Sequence, residues 1–359
     1  MTVPQDVDAV VQECLAQDLD AWTRRIVRRH FDPDTGSRYW LRKAAELPFD
    51  PRDITRHDEL LAFDPFPIDE LRSMDPADLV PMAVPRPLTG RVFESGGTTG
   101  TPCRVYYTET MLRVRGAWRL WAICRGGFQP DRNWLQAMPS GPHLIGHNGW
   151  DYLTSRYGAR VYGIDFDPRW VKRQLRGGRL REAQEYSDHV VDQAIDLMST
   201  QPIDYLATTP ALMKVFVRRA PELLAKVGGV VMSGTHTTPA MWRSFKKSVD
   251  DRPVTIMYGN TFGPTSLPLV QDDGDLMAHL PNYPQITMAV VDRQDWRRTV
   301  EVGESGQVRL TVLQEDLLLP NVLERDLAIR YRPDLDWPCD GVANVRPLLD
   351  VRAAPEGIY

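Results

Sequence analysis

The sequence predicts an α/β protein in which a parallel sheet is followed by a smaller β-rich unit. Between residues 159 and 258, short apolar segments alternate with segments of helical spacing, and this alternation is typical of a parallel sheet. After about residue 265 the pattern changes to strand-like segments joined by turns, with little helical spacing. We therefore expect an α/β core over residues 1–265 and a small β-rich subdomain with a C-terminal tail over 266–359.

The individual elements follow in chain order from apolar spacing and turn residues. A first helix is expected over 5–30, where Val7, Val11 and Leu15 recur near helical spacing. Residues 47–90 carry many prolines and acidic residues, which favours an extended segment. Further helices are predicted over 109–126, 179–199, 210–219 and 239–249. Strands are predicted over 91–94, 104–107, 159–164, 205–209, 229–232, 254–258, 286–291 and 307–313.

The composition is that of a globular protein, because 42% of the 359 residues are hydrophobic and 25% are charged. The formal net charge of −5 provides no basic excess for binding nucleic acid or an anionic membrane surface. No apolar run is long enough to cross a bilayer, and the first residues lack the pattern of a secretory signal. The four cysteines form no CxxC pair, so we expect a reduced, cytoplasmic protein.

A turn rich in glycine and hydroxyl groups is the strongest candidate for ligand binding. It consists of Ser95, Gly96, Gly97, Thr98, Thr99 and Gly100. Glycines let the backbone approach a ligand closely, and clustered N–H and hydroxyl groups can bind phosphate oxygens. The turn is not a Walker A loop, because no Gly-Lys-Ser/Thr follows it. A flexible surface turn made of small residues is the alternative interpretation.

Four sequence motifs resemble those of the adenylate-forming superfamily, which holds acyl- and aryl-CoA ligases, peptide-synthetase adenylation domains and luciferases. Residues 95–102, Ser-Gly-Gly-Thr-Thr-Gly-Thr-Pro, resemble its phosphate-binding signature. Three later motifs follow in the family's order: Tyr-Gly-Asn-Thr-Phe-Gly at 258–263, Gly-Glu-Ser-Gly-Gln-Val at 303–308 and Arg-Asp-Leu at 325–327. Residues 231–236 lie where the family has its adenine-flanking strand and turn. The resemblance implies the N-terminal core of this superfamily, with parallel α/β subdomains and a small β subdomain.

The resemblance also implies an activity and a set of binding residues. Members couple a carboxylate to ATP, forming acyl-AMP and pyrophosphate, with the phosphates at the 95–100 turn and the ribose hydroxyls at Asp326. The AMP and acyl-phosphate region would be lined by Tyr258, Gly259, Asn260, Thr261, Gly234 and Thr235. Phe262 replaces the family's Mg²⁺-binding glutamate, and a phenyl ring cannot coordinate a cation that prefers oxygen. No metal ligand is therefore assigned; Mg²⁺ must use another group, with Glu94 as one option, or bind weakly.

Three histidines are candidates for the acyl pocket, which the superfamily places between the phosphate turn and the Tyr-Gly motif. They are His143, His147 and His236, and we expect them to donate hydrogen bonds to a carboxylate or to line an aromatic pocket. His143 and His147 are four residues apart, as a metal pair on a helix would be. Prolines and glycines crowd that stretch, however, and no third ligand is evident. A loop histidine facing solvent is the alternative for each.

Within the superfamily, the chain is similar to phenylacetate-CoA ligases at residues 205–210 and 158–161. Its altered motifs and short length also resemble a subgroup associated with phenazine antibiotic pathways. Family enzymes usually carry a C-terminal domain that supplies a lysine for adenylation, but no lysine follows Asp326 here. The resemblance therefore implies that this domain is lacking and that the lysine is absent or comes from a partner protein. The catalytic residue is left unassigned.

Two functions are consistent with these patterns. The first is ATP-dependent activation of a carboxylate, expected to be aromatic, to acyl-AMP. The acyl group would then pass to a carrier protein, CoA or a partner enzyme in antibiotic biosynthesis. The second is a non-catalytic nucleotide- or carboxylate-binding protein of the same fold that acts with a partner. A weaker third option is an acyltransferase that does not use ATP.

Overall fold

The computed structural model describes residues 3–97, 100–147, 150–263, 275–333 and 337–348, together with the backbone of 267–273. The described helices are α1 (Gln5–Leu15), α2 (Leu19–His30), α3 (Arg38–Ala44), α4 (Glu109–Arg125), α5 (Trp150–Arg156), α6 (Pro168–Arg176), α7 (Leu180–Thr200), α8 (Pro210–Arg219), α9 (Pro221–Leu224) and α10 (Pro239–Lys247). The described strands are β1 (Gly90–Glu94), β2 (Arg104–Thr108), β3 (Asn133–Ala137), β4 (Arg160–Gly163), β5 (Tyr205–Thr208), β6 (Gly229–Ser233), β7 (Val254–Met257), β8 (Leu267–Asp273), β9 (Leu276–Leu280), β10 (Ile286–Val291), β11 (Ser305–Gln314), β12 (Leu317–Tyr331) and β13 (Gly341–Pro347). The expected α/β fold class is confirmed.

Five strands form a parallel sheet in the order β4-β3-β5-β6-β7. β5, β6 and β7 are buried along their whole length, as strands between two helical layers must be. One face packs against α4 and α5, and the other packs against α7, α8 and α10. The loops that leave the carboxyl ends of these strands therefore meet at one edge, where open α/β sheets bind their ligands.

Two antiparallel sheets complete the structure. Six strands pair in the order β10-β11-β12-β13-β9-β8, and the long strands β11 and β12 form its centre. β1 and β2 form a separate hairpin, which pairs from Gly90 opposite Thr108 to Glu94 opposite Arg104. The hairpin holds the glycine-rich turn at its tip.

The N-terminal helices pack on the six-stranded sheet. The Trp22 indole donates a hydrogen bond to the Leu313 carbonyl at 2.8 Å, and the Trp40 indole donates to the Leu318 carbonyl at 3.0 Å. These helices share one hydrophobic core with the hairpin and with β10, β11 and β12. The division of the chain at residue 265 stays a prediction.

The helix expected over 5–30 is two helices. Asp18 begins the second, because its carboxylate accepts a hydrogen bond from the backbone N–H of Ala21 at 2.8 Å and so caps α2. The other predicted helices and strands that lie in described residues end within two residues of the observed bounds. Across the described part of the chain, no helix combines the length and apolar character needed to span a membrane.

Candidate functional site

The glycine-rich turn is closed at its base by hydrogen bonds between its two ends. The backbone N–H of Ser95 donates to the Cys103 carbonyl at 2.9 Å, and the Cys103 N–H donates to the Ser95 hydroxyl at 2.9 Å. Gly97 has φ near +61°, a left-handed conformation that glycine adopts without steric cost. Of the six candidate phosphate-binding residues, Thr98 and Thr99 lie outside the described residues. The base of the turn is therefore rigid, and its middle requires glycine.

Helix α6 places two cations against this turn. The Lys172 ammonium donates a hydrogen bond to the Gly96 carbonyl at 3.2 Å, and the Arg176 guanidinium donates to the Gly97 carbonyl at 2.8 Å. The two residues are four apart, so they project from the same face of the helix. A turn with glycine amides on its backbone and two cations at its rim favours an anionic ligand.

Burial makes the Lys172 charge sensitive to pH. Its side chain is buried, and burial, with added repulsion from Arg176 and Arg169, lowers the pKa of Lys172 to about 8. A bound phosphate would favour the charged ammonium and raise this pKa again. The positive charge of Lys172 is therefore most stable when an anion occupies the turn.

Glu94, the last residue of β1, is held by two arginines. Its carboxylate accepts a hydrogen bond from Arg104 Nε at 2.9 Å and a second from the Arg169 guanidinium. Burial alone would raise the pKa of Glu94, but these two arginines outweigh it and hold that pKa below its usual range. Glu94 is thus an ionised anchor for α6 and for β2.

A second polar cluster joins the loop after β7 to strand β12. The Tyr258 hydroxyl donates a hydrogen bond to Asp326 Oδ2 at 2.9 Å, and the Asn260 amide donates to the Glu324 carboxylate. Asn260 also shapes its own loop, because its side-chain oxygen accepts a hydrogen bond from the Phe262 N–H at 3.1 Å. The structure therefore brings together Tyr258, Asn260 and Asp326, which the sequence placed in one nucleotide site.

The two carboxyl groups of this cluster do not ionise independently. Burial and the neighbouring Asp326 raise the pKa of Glu324 to about 8. Burial also raises the pKa of Asp326, while the Tyr258 hydroxyl and Arg325 act in the opposite direction. Burial thus favours the protonated form of both carboxyl groups, and the Tyr258 hydrogen bond favours the ionised form of Asp326.

Comparisons with known proteins agree with this arrangement at the level of the fold. No family model and no curated protein matches the chain. Solved structures of 2-hydroxyisobutyryl-CoA ligase are similar. Its open conformation with 2-HIB-AMP and CoA is 14% identical, with a TM-score of 0.67 over 93% of this chain and 69% of that chain. Its post-adenylation state with 2-HIB-AMP is 13% identical, with a TM-score of 0.65 over 92% and 67%. The chain has the fold of an adenylate-forming ligase.

The adenylate-forming fold gives the remaining predicted residues distinct surroundings. The Thr261 carbonyl accepts a hydrogen bond from the Tyr107 hydroxyl at 2.9 Å, which ties the loop after β7 to β2. Gly234 has φ near +102°, and the Thr235 hydroxyl after it has no hydrogen-bond partner among the described residues. Gly259 is exposed next to Tyr258. These residues occupy the loops after β6 and β7, at the carboxyl edge of the parallel sheet.

The three candidate histidines lie in different places. His143 is buried, and burial lowers its pKa to about 4, so it is neutral at physiological pH. His147 contacts the Gly141 carbonyl at 3.0 Å, and the His236 ring contacts the Val345 carbonyl of β13 at 2.8 Å. His147 thus contacts its own loop, whereas His236 contacts β13. Their shared role in an acyl pocket stays a prediction.

Phe262 offers nothing to a metal ion. Its side chain is buried and packs in the core shared by the N-terminal helices and the antiparallel sheet. Within the ranges that the structure describes, no group of three or more His, Cys, Asp or Glu side chains could hold a metal ion.

Sequence reasoning did not find Lys172, Arg176 and Glu324. A signal for the first two was present: Asp167-Pro168 is a strong helix start, and the basic residues after it are spaced for one helix face. No local pattern connected that helix to a turn more than 70 residues earlier in the chain.

Proposed function

We propose that this chain binds ATP and activates a carboxylate by adenylation. The triphosphate would lie on the 95–100 turn, between its backbone amides and the Lys172 and Arg176 side chains. The ribose hydroxyls would donate to Asp326. The observation that carries the proposal is the convergence of two α6 cations on the glycine carbonyls of the turn, in a chain with the adenylate-forming fold.

The reaction is a displacement at the α-phosphorus of ATP. One oxygen of the substrate carboxylate attacks that phosphorus, a new P–O bond forms, and the bond to the pyrophosphate oxygen breaks. The products are acyl-AMP and pyrophosphate. Negative charge moves onto the departing pyrophosphate, so cations already fixed at the turn lower the barrier electrostatically. In the absence of ATP the same cations contact neutral peptide carbonyls, which a phosphate oxygen would displace as the stronger acceptor.

The proposal also specifies an aromatic substrate, a biosynthetic pathway and an acyl acceptor. The aromatic character of the acid rests on the resemblance to phenylacetate-CoA ligases, since Trp118, Trp134 and Trp150 pack in the core on one face of the parallel sheet. The resemblance to phenylacetate-CoA ligases and to the phenazine-pathway subgroup supports a role in antibiotic biosynthesis. CoA, a carrier protein or a partner enzyme would take the acyl group, and a soluble cytoplasmic protein would suit each of these acceptors.

A non-catalytic binding protein is the second candidate, favoured by one observation. Phe262 fills the position of the superfamily's Mg²⁺-binding glutamate with a buried apolar ring. Such a chain could hold a nucleotide or a carboxylate without turning it over.

Pyrophosphate exchange distinguishes the two candidates. We expect acid-dependent exchange of labelled pyrophosphate into ATP with at least one aromatic acid from a panel, measured with and without Mg²⁺. ATP binding by calorimetry without exchange for any acid would favour the binding protein. Absence of ATP binding would contradict the assignment of the turn.

A further inference from the structure

Arg119 is a buried cation on the inner face of α4. Its side chain is 3% exposed and lies beneath the parallel sheet's carboxyl edge. One guanidinium nitrogen, Nη1, contacts the Met257 sulfur at 3.0 Å, and the guanidinium carbon lies 5.6 Å from the Trp150 ring centre. Met257 ends β7 and directly precedes Tyr258 of the nucleotide cluster. Arg119 thus lies next to the candidate site rather than in a remote part of the core.

The guanidinium lacks a counter-ion in the described part of the chain. Its Nε and Nη2 atoms are buried without a hydrogen-bond partner, and no acidic side chain is paired with it. Burial, with repulsion from Arg115 one helical turn earlier, lowers the pKa of Arg119 to about 9. A sulfur atom and an aromatic face replace little of the hydration that a guanidinium loses. A folded protein retains such a group at a cost in stability.

The neighbouring unpartnered atoms are also donors. The Trp150 indole N–H and the Trp134 indole N–H are buried without acceptors among the described residues, and the two rings lie 5.8 Å apart. Only the Trp150 ring lies beside the guanidinium, and a buried cation next to an indole N–H without an acceptor calls for an anionic ligand.

The reaction chemistry indicates which anionic group this is. Adenylation converts the reacting carboxylate into a mixed anhydride and removes its charge. An arginine paired with that carboxylate would lose its counter-ion during the reaction, and the pair would stabilise the ground state more than the transition state. The partner of Arg119 must therefore remain ionised throughout.

We propose that Arg119 anchors a second acidic group of the substrate, so that the chain selects aromatic acids carrying two anionic groups. This inference rests on the proposed adenylation activity. The Trp150 ring lies beside the anchor, and the other acid group of the ligand is left for activation.

The test compares diacids with neutral ketones of the same shape. Calorimetric binding without ATP is measured for terephthalate against 4-acetylbenzoate and for isophthalate against 3-acetylbenzoate, on wild type, Arg119→Met and Arg119→Lys. We expect at least one diacid to bind wild type tenfold or more tightly than its ketone. The preference should disappear in Arg119→Met and persist in part in Arg119→Lys.

Thermal unfolding shows whether a variant has misfolded. Methionine replaces an unpaired buried charge by an apolar chain of similar length, so ligand-free Arg119→Met should unfold at or above the wild-type temperature. Equal binding of diacid and ketone by wild type, or an unchanged preference in Arg119→Met, would overturn the anchor.

Pyrophosphate exchange then distinguishes failure of the Arg119 anchor from failure of the proposed adenylation activity. Exchange that ignores the second acid group refutes the anchor alone, whereas Arg119-dependent diacid binding without exchange supports the anchor and refutes adenylation.

Discussion

Replacing Lys172 by methionine is expected to weaken ATP binding about 10- to 100-fold, because the variant loses a charge-assisted hydrogen bond worth about 1.5–3 kcal/mol. Methionine retains the length and apolar stem of the lysine, so the packing of α6 should survive. The measurement is calorimetric titration with ATP at pH 7. A titration with adenosine should show little change, because adenosine carries no phosphate for Lys172 to contact.

Arg173→Met is the matched control for this experiment. Arg173 lies on the same helix and carries the same charge, but its side chain is exposed. Equal losses in the two variants would mean that α6 acts only through its general positive charge, which would contradict a direct role for Lys172.

The lowered pKa of Lys172 predicts that the affinity for ATP depends on pH. ATP should bind best below the pKa of about 8, where Lys172 is charged before the ligand arrives, and affinity should fall as pH rises from 7 to 9. Lys172→Arg keeps its charge over this range, so its affinity should be flat. A wild-type affinity that does not change between pH 7 and 9 would contradict the assignment.

Replacing Asp326 by asparagine is expected to remove the preference for an intact ribose. The Asp326 carboxyl group accepts from both ribose hydroxyls in the proposed complex, whereas the amide keeps its shape but replaces one acceptor oxygen by a donor. Wild type should bind AMP about 10- to 100-fold more tightly than 2′,3′-dideoxy-AMP, and the variant should bind the two almost equally. Calorimetry with both nucleotides measures the ratio.

Tyr258→Phe is the companion variant, since it removes the hydroxyl group that donates the 2.9 Å hydrogen bond to Asp326. It should retain most of the ribose preference, because the Asp326 carboxyl group is still present to accept from the ribose hydroxyls. A full ribose preference in Asp326→Asn would place the ribose elsewhere. Loss of binding to both nucleotides together would indicate damage to the fold, which thermal unfolding of the variant would reveal.

The parallel sheet was the most predictable part of the fold. β5, β6 and β7 are short apolar runs between helices with clear starts, such as Pro210 and Pro239, so local spacing sufficed. β3 was missed because Asn133-Trp-Leu-Gln-Ala neither alternates nor forms a β-branched run. It is a strand because β4 and β5 pair with it on both sides.

The packing of the N-terminal region on the antiparallel sheet had no local signal. It depends on contacts between residues nearly 300 positions apart, such as the Trp22 indole and the Leu313 carbonyl. β12 and β13 were missed for a related reason: charged residues such as Glu324, Arg325 and Asp326 interrupt the alternation expected of strands.

In the candidate site, too, sequence motifs identify some residues, and only tertiary contacts identify the others. The motif strings predicted that Tyr258 and Asp326 belong to one site, and the structure joins these two residues by a hydrogen bond. Lys172 and Arg119 lie outside any motif. Both are recognised only by what surrounds them, a carbonyl of the turn in one case and unpaired donors in the other.

Oxygen labelling tests the central claim most directly. Aromatic acids carrying ¹⁸O in both carboxylate oxygens are incubated with ATP and the protein, and the AMP formed is analysed by mass spectrometry. Adenylation forms a bond from a carboxylate oxygen to the α-phosphorus, so we predict one ¹⁸O atom in AMP after the acyl group leaves. AMP without label, or ADP and phosphate as the products, would contradict the proposal that this chain activates a carboxylate as an acyl-adenylate.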